Sequence, residues 1–209
     1  MRITGGTLRG RKLAAPADLR VRPTSDRVRE AIFNILAHND FDCGFSLEGA
    51  RVADLFAGTG AMGIEALSRG AKFCLFVEDA AESRALIREN VEAFALTGAT
   101  KIWRRDATNL GPMAAGAFSR EVGTGSRQKM RPTKNSAGGP FDLIFLDPPY
   151  RKNLIAPALA ALRDGGWLAE NAILVCECAN DEDLGDVEGF TTLDTRSYGE
   201  TKVTLLRAG

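Results

Sequence analysis

Phe141–Tyr150 reads FDLIFLDPPY, and its last four residues carry groups able to grip a planar amine. Asp147 is an acceptor-only carboxylate, Pro148 offers a carbonyl on a rigid backbone, and Tyr150 offers an aromatic face. Such a set suits a nucleobase held by its exocyclic amine: Asp147 and the Pro148 carbonyl accept N–H bonds while Tyr150 stacks on the ring. The preceding Phe141, Leu143, Ile144, Phe145 and Leu146 make the apolar run of a strand buried on both faces. Two prolines cannot extend a central ladder, so the strand ends there and delivers Asp147 to its carboxyl edge, where open parallel sheets bind ligands. Asp-Pro is also common turn chemistry, and the string alone leaves an ordinary strand-to-loop turn open.

A second set lies upstream in Arg51–Gly63, RVADLFAGTGAMG. It reads as a strand over Val52–Phe56, a turn through Ala57-Gly58-Thr59-Gly60, and a helix from about Ala61 to Arg69. Glycines let the backbone turn sharply against a bulky ligand, and the amino end of a helix offers free N–H groups. Gly58-x-Gly60-x-x-Gly63 matches the dinucleotide fingerprint, a weak signal by itself. The next strand, Phe73–Val77, ends in Glu78, eighteen residues beyond Gly60, the place for a carboxylate on ribose hydroxyls. A third strand near Lys101–Arg104 leads to Asp106-Ala107, where an acid can take the amino group of an adenine. With Asp54 inside the first strand, acids at three strand ends describe a nucleoside pocket. Glu78 or Asp106 taken singly reads equally as a helix cap.

Positioning these groups takes an α/β domain, for which 209 residues, 44% of them hydrophobic, are ample. The formal net charge of zero hides an uneven distribution. Residues 1–30 hold Arg2, Arg9, Arg11, Lys12, Arg20, Arg22, Arg27 and Arg29 against three acids, whereas residues 164–195 hold nine acids and no Arg or Lys. That asymmetry points to a polyanion-binding amino end. The chain opens as a short strand (Arg2–Thr4), a Gly5-Gly6 turn and a returning Leu8–Leu13 segment, read together as a small hairpin or ribbon. A Thr24 or Ser25 cap then starts a helix with apolar Val28, Ile32, Phe33, Ile35 and Leu36, whose exposed side is expected to carry Arg27 and Arg29. Basic residues on a ribbon and a capped helix can trace a phosphate backbone, although a merely solvated basic face is the alternative.

Residues 38–50 read as a connection containing the single histidine, His38, so no His-dependent triad is available. Residues 119–140 form a Gly-, Ser- and Lys/Arg-rich stretch expected to be a flexible insertion, adding RNA contacts or none. Cys43, Cys74, Cys176 and Cys178 lack zinc spacing; reduced, buried thiols in a cytoplasmic protein are expected, with no metal. The opening MRITGG has no apolar signal core, and no run approaches the roughly 18 apolar residues of a membrane span.

Together these residues carry a resemblance. Asp54-Leu55-Phe56-Ala57-Gly58-Thr59-Gly60 resembles the cofactor loop of class I S-adenosylmethionine-dependent methyltransferases, and Asp147-Pro148-Pro149-Tyr150 the catalytic motif of their amino-methylating members. The run Arg2-Ile3-Thr4-Gly5-Gly6, Arg9-Gly10-Arg11, Arg22-Pro23-Thr24 and Arg27-Val28-Arg29-Glu30, with the closing Tyr198-Gly199-Glu200-Thr201, is similar to the bacterial 16S ribosomal RNA guanine-N2 methyltransferases of the RsmD family.

The resemblance spans nearly the whole chain. It implies an α/β fold: a Rossmann-like seven-stranded sheet with helices on both faces and a small amino-terminal β-hairpin extension (1–22) before a methyltransferase domain (23–209). It implies S-adenosyl-L-methionine as cofactor, with Asp54, Phe56, Gly58 and Gly60 at its methionine part, Glu78 at the ribose, Asp106 and Ala107 at the adenine, and Asp147 beside them. Asp147, Pro148 and Tyr150 would be catalytic. Arg2, Arg9, Arg11, Arg22, Arg27, Arg29 and Pro149 would touch 16S ribosomal RNA or the assembling small subunit, and a cytoplasmic monomer is expected. The insertion at 119–140 departs from the family pattern. An adenine-N6 methyltransferase acting on DNA or RNA is the alternative within this chemistry. A nicotinamide oxidoreductase would leave Asp147–Tyr150 and the basic ribbon without a role, and a non-catalytic RNA-binding module would leave the nucleoside pocket without one.

Overall fold

The computed structural model describes residues 1–15, 25–113 and 139–209, and in it seven strands form a single sheet. They are β1 (Arg51–Leu55), β2 (Phe73–Val77), β3 (Thr100–Trp103), β4 (Phe141–Leu146), β5 (Leu168–Ala179), β6 (Phe190–Tyr198) and β7 (Thr201–Ala208). Their order across the sheet is β3-β2-β1-β4-β5-β7-β6. β1 to β5 run parallel to one another, and β7 is antiparallel to both β5 and β6.

The apolar strings are continuous because both sheet faces are covered. Side chains alternate between the two faces along each strand. Val52, Leu143, Phe145 and Val175 pack with α1 (Asp26–His38), α2 (Ala61–Ser68) and α3 (Ala81–Ala93). Ala53, Leu55, Ile144, Leu146 and Leu174 pack with α4 (Ile155–Asp164). The expected arrangement, seven strands with helices on both faces, is therefore present.

α1 begins where the cap chemistry predicts: Ser25 Oγ accepts the Val28 N–H at 3.2 Å, a contact worth about 1 kcal/mol. All five of its expected apolar residues are buried, each contributing roughly 1.5–3 kcal/mol of transfer free energy before entropy is charged against it. His38 closes this helix; it does not open the following connection as expected.

The amino-terminal ribbon differs from its expected form. A single antiparallel bridge joins Arg2 to Lys12, and a 3-10 turn over Gly6–Leu8 fills the bend where a tight Gly5-Gly6 turn was expected. The ladder is short because residues 4–8 bond to a helix and not to a partner strand. Glu65 of α2 accepts the N–H groups of Thr4 and Gly5 and the Thr4 hydroxyl, all within 2.8 Å. Ser68 Oγ accepts the Leu8 N–H and donates to the Gly5 carbonyl.

Candidate active site

β1 and β4 are neighbours in the sheet, and the order of connection reverses between them. In an open α/β sheet, the crevice beyond the carboxyl ends at such a point is where ligands bind. Leu55 pairs with Leu146 across this junction. Phe56 and Asp147 therefore leave the sheet side by side, and two motifs ninety-one residues apart in the chain face one crevice.

The glycine loop turns at once. Phe56 adopts a left-handed conformation (φ 58°), and the Gly60 N–H returns to the Ala57 carbonyl at 2.7 Å. Asp54 lies fully inside the protein, its Oδ2 accepting the Gly63 N–H at 2.9 Å in the first turn of α2. Burial, aided by the Glu78 charge and opposed by the Gly63 hydrogen bond, pushes its pKa up to about 8. Gly63 faces β2 so closely that a Cβ there would stand 2.4 Å from Cys74 Sγ and from the Phe76 ring. The third glycine of the motif thus serves helix-on-strand packing. Gly58 is the opposite case: among the described residues a Cβ on it would meet nothing nearer than the Phe56 carbonyl at 3.9 Å, which leaves room over the loop for a ligand.

Glu78, at the end of β2, is almost fully buried. Its two oxygens accept the Gly58 N–H at 2.9 Å and the Ala80 N–H at 2.8 Å, so it is at once a loop anchor and the start of α3. Asp106, beyond β3, is exposed, and its Oδ1 accepts both the N–H and the hydroxyl of Thr108. Ala107 beside it is buried. The structure thus brings Asp54, Phe56, Gly58, Gly60 and Glu78 together, with Asp106 and Ala107 on the neighbouring strand end.

At the end of β4, Asp147 is half-buried, Pro148 buried, Pro149 exposed and Tyr150 half-buried. The phenol of Tyr150 is held: its hydroxyl donates to Glu177 Oε1 at 2.8 Å and lies 2.9 Å from Thr201 Oγ1. Burial, with the charges of Glu177 and Asp147, raises its pKa well above the tyrosine value. Left-handed Arg151 and Asn153 follow, and the Arg151 N–H donates to Glu182. Non-glycine residues in that conformation cost about 1–3 kcal/mol each and cluster at ligand sites. Pro148, Pro149 and Tyr150 line one wall of a cavity of about 320 Å³, at the lower end of the roughly 300–1,000 Å³ of ligand pockets. A cavity of equal volume lies at the amino edge of the sheet, lined by Glu48, Lys72 and Asp142, away from both motifs.

The basic residues divide. Arg2, Arg9, Arg11 and Arg27 are exposed; Arg22 lies outside the described residues, as do residues 119–138 of the expected insertion. Arg11 is partly committed, donating to the Ala93 carbonyl at 2.7 Å and lying 4.4 Å over the Phe94 ring. Arg29 corrects an expectation. It is fully buried, donates to Glu65, Asp26 and the Arg2 carbonyl, and presents no charge to a ligand.

Four functional candidates were not foreseen: Glu65, Asn90, Glu177 and Thr201. Glu65 had a visible signal, a lone acid in the apolar string AMGIEALS, since a buried carboxylate demands partners. Asn90 is buried on α3; its amide donates to the carbonyls of Ala14 and Thr59, and its oxygen accepts the Ala14 N–H at 2.7 Å. It joins the amino-terminal segment to the glycine loop. The four cysteines are free thiols, three of them buried as expected and Cys43 only half-buried, and among the described residues no cluster of metal-ligating side chains occurs and no helix is long and apolar enough to cross a membrane.

A family model described as "Conserved hypothetical protein 95" matches residues 1–121 and 108–207. The chain is 36% identical over 178 residues to "Ribosomal RNA small subunit methyltransferase D" of Escherichia coli (strain K12), covering 85% of this chain and 74% of that protein. It is 32% identical over 208 residues to YlbH of Bacillus subtilis (strain 168), covering 99% and 98%. The solved structure of Escherichia coli yhhF superposes with a TM-score of 0.75 at 27% identity, over 100% of this chain and 97% of the other.

Proposed function

This chain belongs to the family described as Conserved hypothetical protein 95, and from that membership we propose that it transfers a methyl group from S-adenosyl-L-methionine to the exocyclic N2 amine of a guanine in 16S ribosomal RNA. It is a methyltransferase of the class I α/β fold, as its relative in Escherichia coli, named for the small-subunit ribosomal RNA, supports. The observation that carries the reading is the Leu55–Leu146 register, which sets a glycine loop and Asp147-Pro148-Pro149-Tyr150 on adjacent strand ends.

The residues present fit the cofactor. The open space over Gly58, the acid at the end of β2 and the amino end of α2 are what a bulky nucleoside with hydroxyls needs. Asp54, Phe56, Gly58 and Gly60 would hold its amino-acid part, Glu78 its ribose, and Asp106 with Ala107 its base. When bound, S-adenosylmethionine would supply an electrophilic methyl group, the methyl–sulfur bond breaking with its electron pair left on a neutral thioether.

The protein's own share is positioning and charge. The N2 lone pair of guanine is delocalised into the ring and is a poor nucleophile. Asp147 and the Pro148 carbonyl accept the two amine hydrogens, which localises density on nitrogen as positive charge develops there. Once the new C–N bond forms, the amine carries a surplus proton, which Asp147 can accept and pass to water. Asp147 need not be a strong base for this, because the methylated cationic amine is itself acidic. Tyr150 offsets part of the few kcal/mol needed to unstack the target base by stacking worth roughly 1–3 kcal/mol. Holding nucleophile and electrophile in line supplies the rest.

Arg2, Arg9, Arg11 and Arg27 would follow the RNA backbone, with residues 1–22 serving as the RNA-holding extension of a methyltransferase domain over 23–209. The working place of such an enzyme is the cytoplasm, where small subunits assemble, and a monomer suffices for the chemistry. The test is transfer of labelled methyl to small-subunit RNA lacking its native methylations, naked and as particles, followed by nucleoside separation. Label in N2-methylguanosine supports the reading. Label in N6-methyladenosine replaces guanine by adenine as the target, and no label despite cofactor binding removes ribosomal RNA as the acceptor.

A further inference from the structure

We infer that Glu177 and Thr201 are positioning residues that lock the Tyr150 ring as a preformed platform for the target base; this rests on the stacking role proposed above for Tyr150. The closing Tyr198-Gly199-Glu200-Thr201 string thereby acquires a purpose. It is the turn between β6 and β7, and it sets Thr201 opposite Ala179 at the top of β5, two residues beyond Glu177. Side chains two apart on a strand share a face, so Glu177 and the strand partner of Ala179 converge on one point above the sheet. That point is the Tyr150 hydroxyl.

The hydrogen-bond directions follow from the inventory of donors. A phenol has one proton, and an ionised carboxylate can only accept, so the Tyr150 hydroxyl donates to Glu177 and Thr201 donates to the phenolic oxygen. Both valences of the oxygen are satisfied by β5 and β7, which belong to the rigid sheet. Glu177 itself is buried, so its bond to the phenol is shielded from competing water. Tyr150 follows Pro148-Pro149 and precedes the left-handed residues Arg151 and Asn153, in a loop and not in a regular element. Tethering the far end of the ring to the sheet gives it one orientation, so a flipped base meets a surface already in place.

The step is one of positioning, so its signature is in kcat more than in RNA affinity. Tyr150→Phe keeps the stacking face and removes the tether; Glu177→Ala removes the acceptor. Each is expected to lower kcat about tenfold, the size of a lost hydrogen bond to a charged group, with the KM for RNA changed less than twofold. The double variant Tyr150→Phe/Glu177→Ala is expected to be no slower than either single one, because both act through the same oxygen. Glu177→Gln, which keeps an acceptor, is expected to restore most of the rate. Multiplying losses in the double variant, or full activity of Tyr150→Phe, would overturn the tether. If Glu177→Ala fails to fold, Tyr150→Phe and Thr201→Val still decide it, each expected to slow turnover. Tyr150→Ala separates the two levels: an inactive Ala variant beside a fully active Phe variant sinks only the tether, and a fully active Ala variant sinks the stacking role beneath it.

Discussion

Glu78 Oε2 accepts the main-chain N–H of Gly58 at 2.9 Å, so the acid that ends the second strand holds the loop that leaves the first. On the proposed assignment a carboxylate in that position would shape the ribose site twice, by offering oxygens to hydroxyls and by fixing the loop they lie against. Glu78→Ala is therefore expected to weaken S-adenosylmethionine binding by at least tenfold, the low end for a charge-assisted hydrogen bond. Calorimetric titration of the cofactor checks this, and an unchanged Kd would take Glu78 out of the site.

Asp147 should separate from Glu78 in its effect. In the proposed mechanism its carboxylate works on the acceptor amine, so Asp147→Ala is expected to cut kcat by roughly a hundredfold or more while the cofactor Kd stays near the parent value. Single-turnover methyl transfer beside the same titration makes the comparison. A variant that loses cofactor binding contradicts the assigned role.

Arg9 and Arg11 differ in freedom although both are exposed. Arg11 is already engaged with Ala93 and Phe94, and Arg9 has no side-chain partner among the described residues. Arg9→Ala is expected to lower RNA affinity and to reduce the slope of log K against log salt by about 0.7–0.9, one phosphate contact. Filter binding over a salt series reads the slope, and an unaltered one removes the ribbon from the interface.

Glu65 is the stability hinge of the amino-terminal segment. It is fully buried and paired with Arg29 at 3.3 Å and Arg69 at 2.8 Å, besides its bonds to Thr4 and Gly5. Glu65→Ala takes a buried carboxylate partner from both Arg29 and Arg69 while Arg29 keeps its pair with Asp26, at an expected cost of about 3 kcal/mol, the low end for a broken buried pair. Urea unfolding gives the number, and limited proteolysis is expected to cut within residues 1–15 sooner than in the parent.

Asp54 predicts a pH effect with a definite sign. Its pKa rises from 3.8 to about 8 on folding, so between those values the folded state binds more protons than the unfolded one. Stability from this group is full below pH 3.8 and is lost as pH rises through about 8. Asp54→Asn stays neutral and keeps an acceptor for the Gly63 N–H, so from about pH 5 to about pH 9 the parent is expected to lose stability relative to the variant. Parallel urea curves at the two pH values check it; a constant gap would contradict it.

The strands that carry the site were legible because buried parallel strands write themselves as unbroken apolar runs, and Phe73–Val77 falls where the run does. The left-handed turn at Phe56 was not, since a bulky residue there has no local signal. Arg29 was misplaced for a reason the sequence contains. With Ile32, Phe33 and Leu36 it makes the i, i+3, i+4, i+7 stripe of a buried helix face, and Arg27 beside it in the chain lies on another side. Its partner is Glu65, thirty-six residues away. Tyr150 likewise meets Thr201 fifty-one residues on. Pairings of that reach are decided by topology, and no window of local sequence contains them.

The position of β7 has a consequence for synthesis. It follows every other strand in the chain but lies between β5 and β6. A nascent chain that has made β1 through β6 can dock its glycine loop and its amino-terminal segment, since domains order as they emerge. It still has a bare edge on β5, a template for pairing with another chain, and holds the Tyr150 hydroxyl by Glu177 alone, without Thr201. Binding of the cofactor can therefore precede full catalytic competence during translation, and truncations before Thr201 should yield sticky, cofactor-binding chains with slowed turnover.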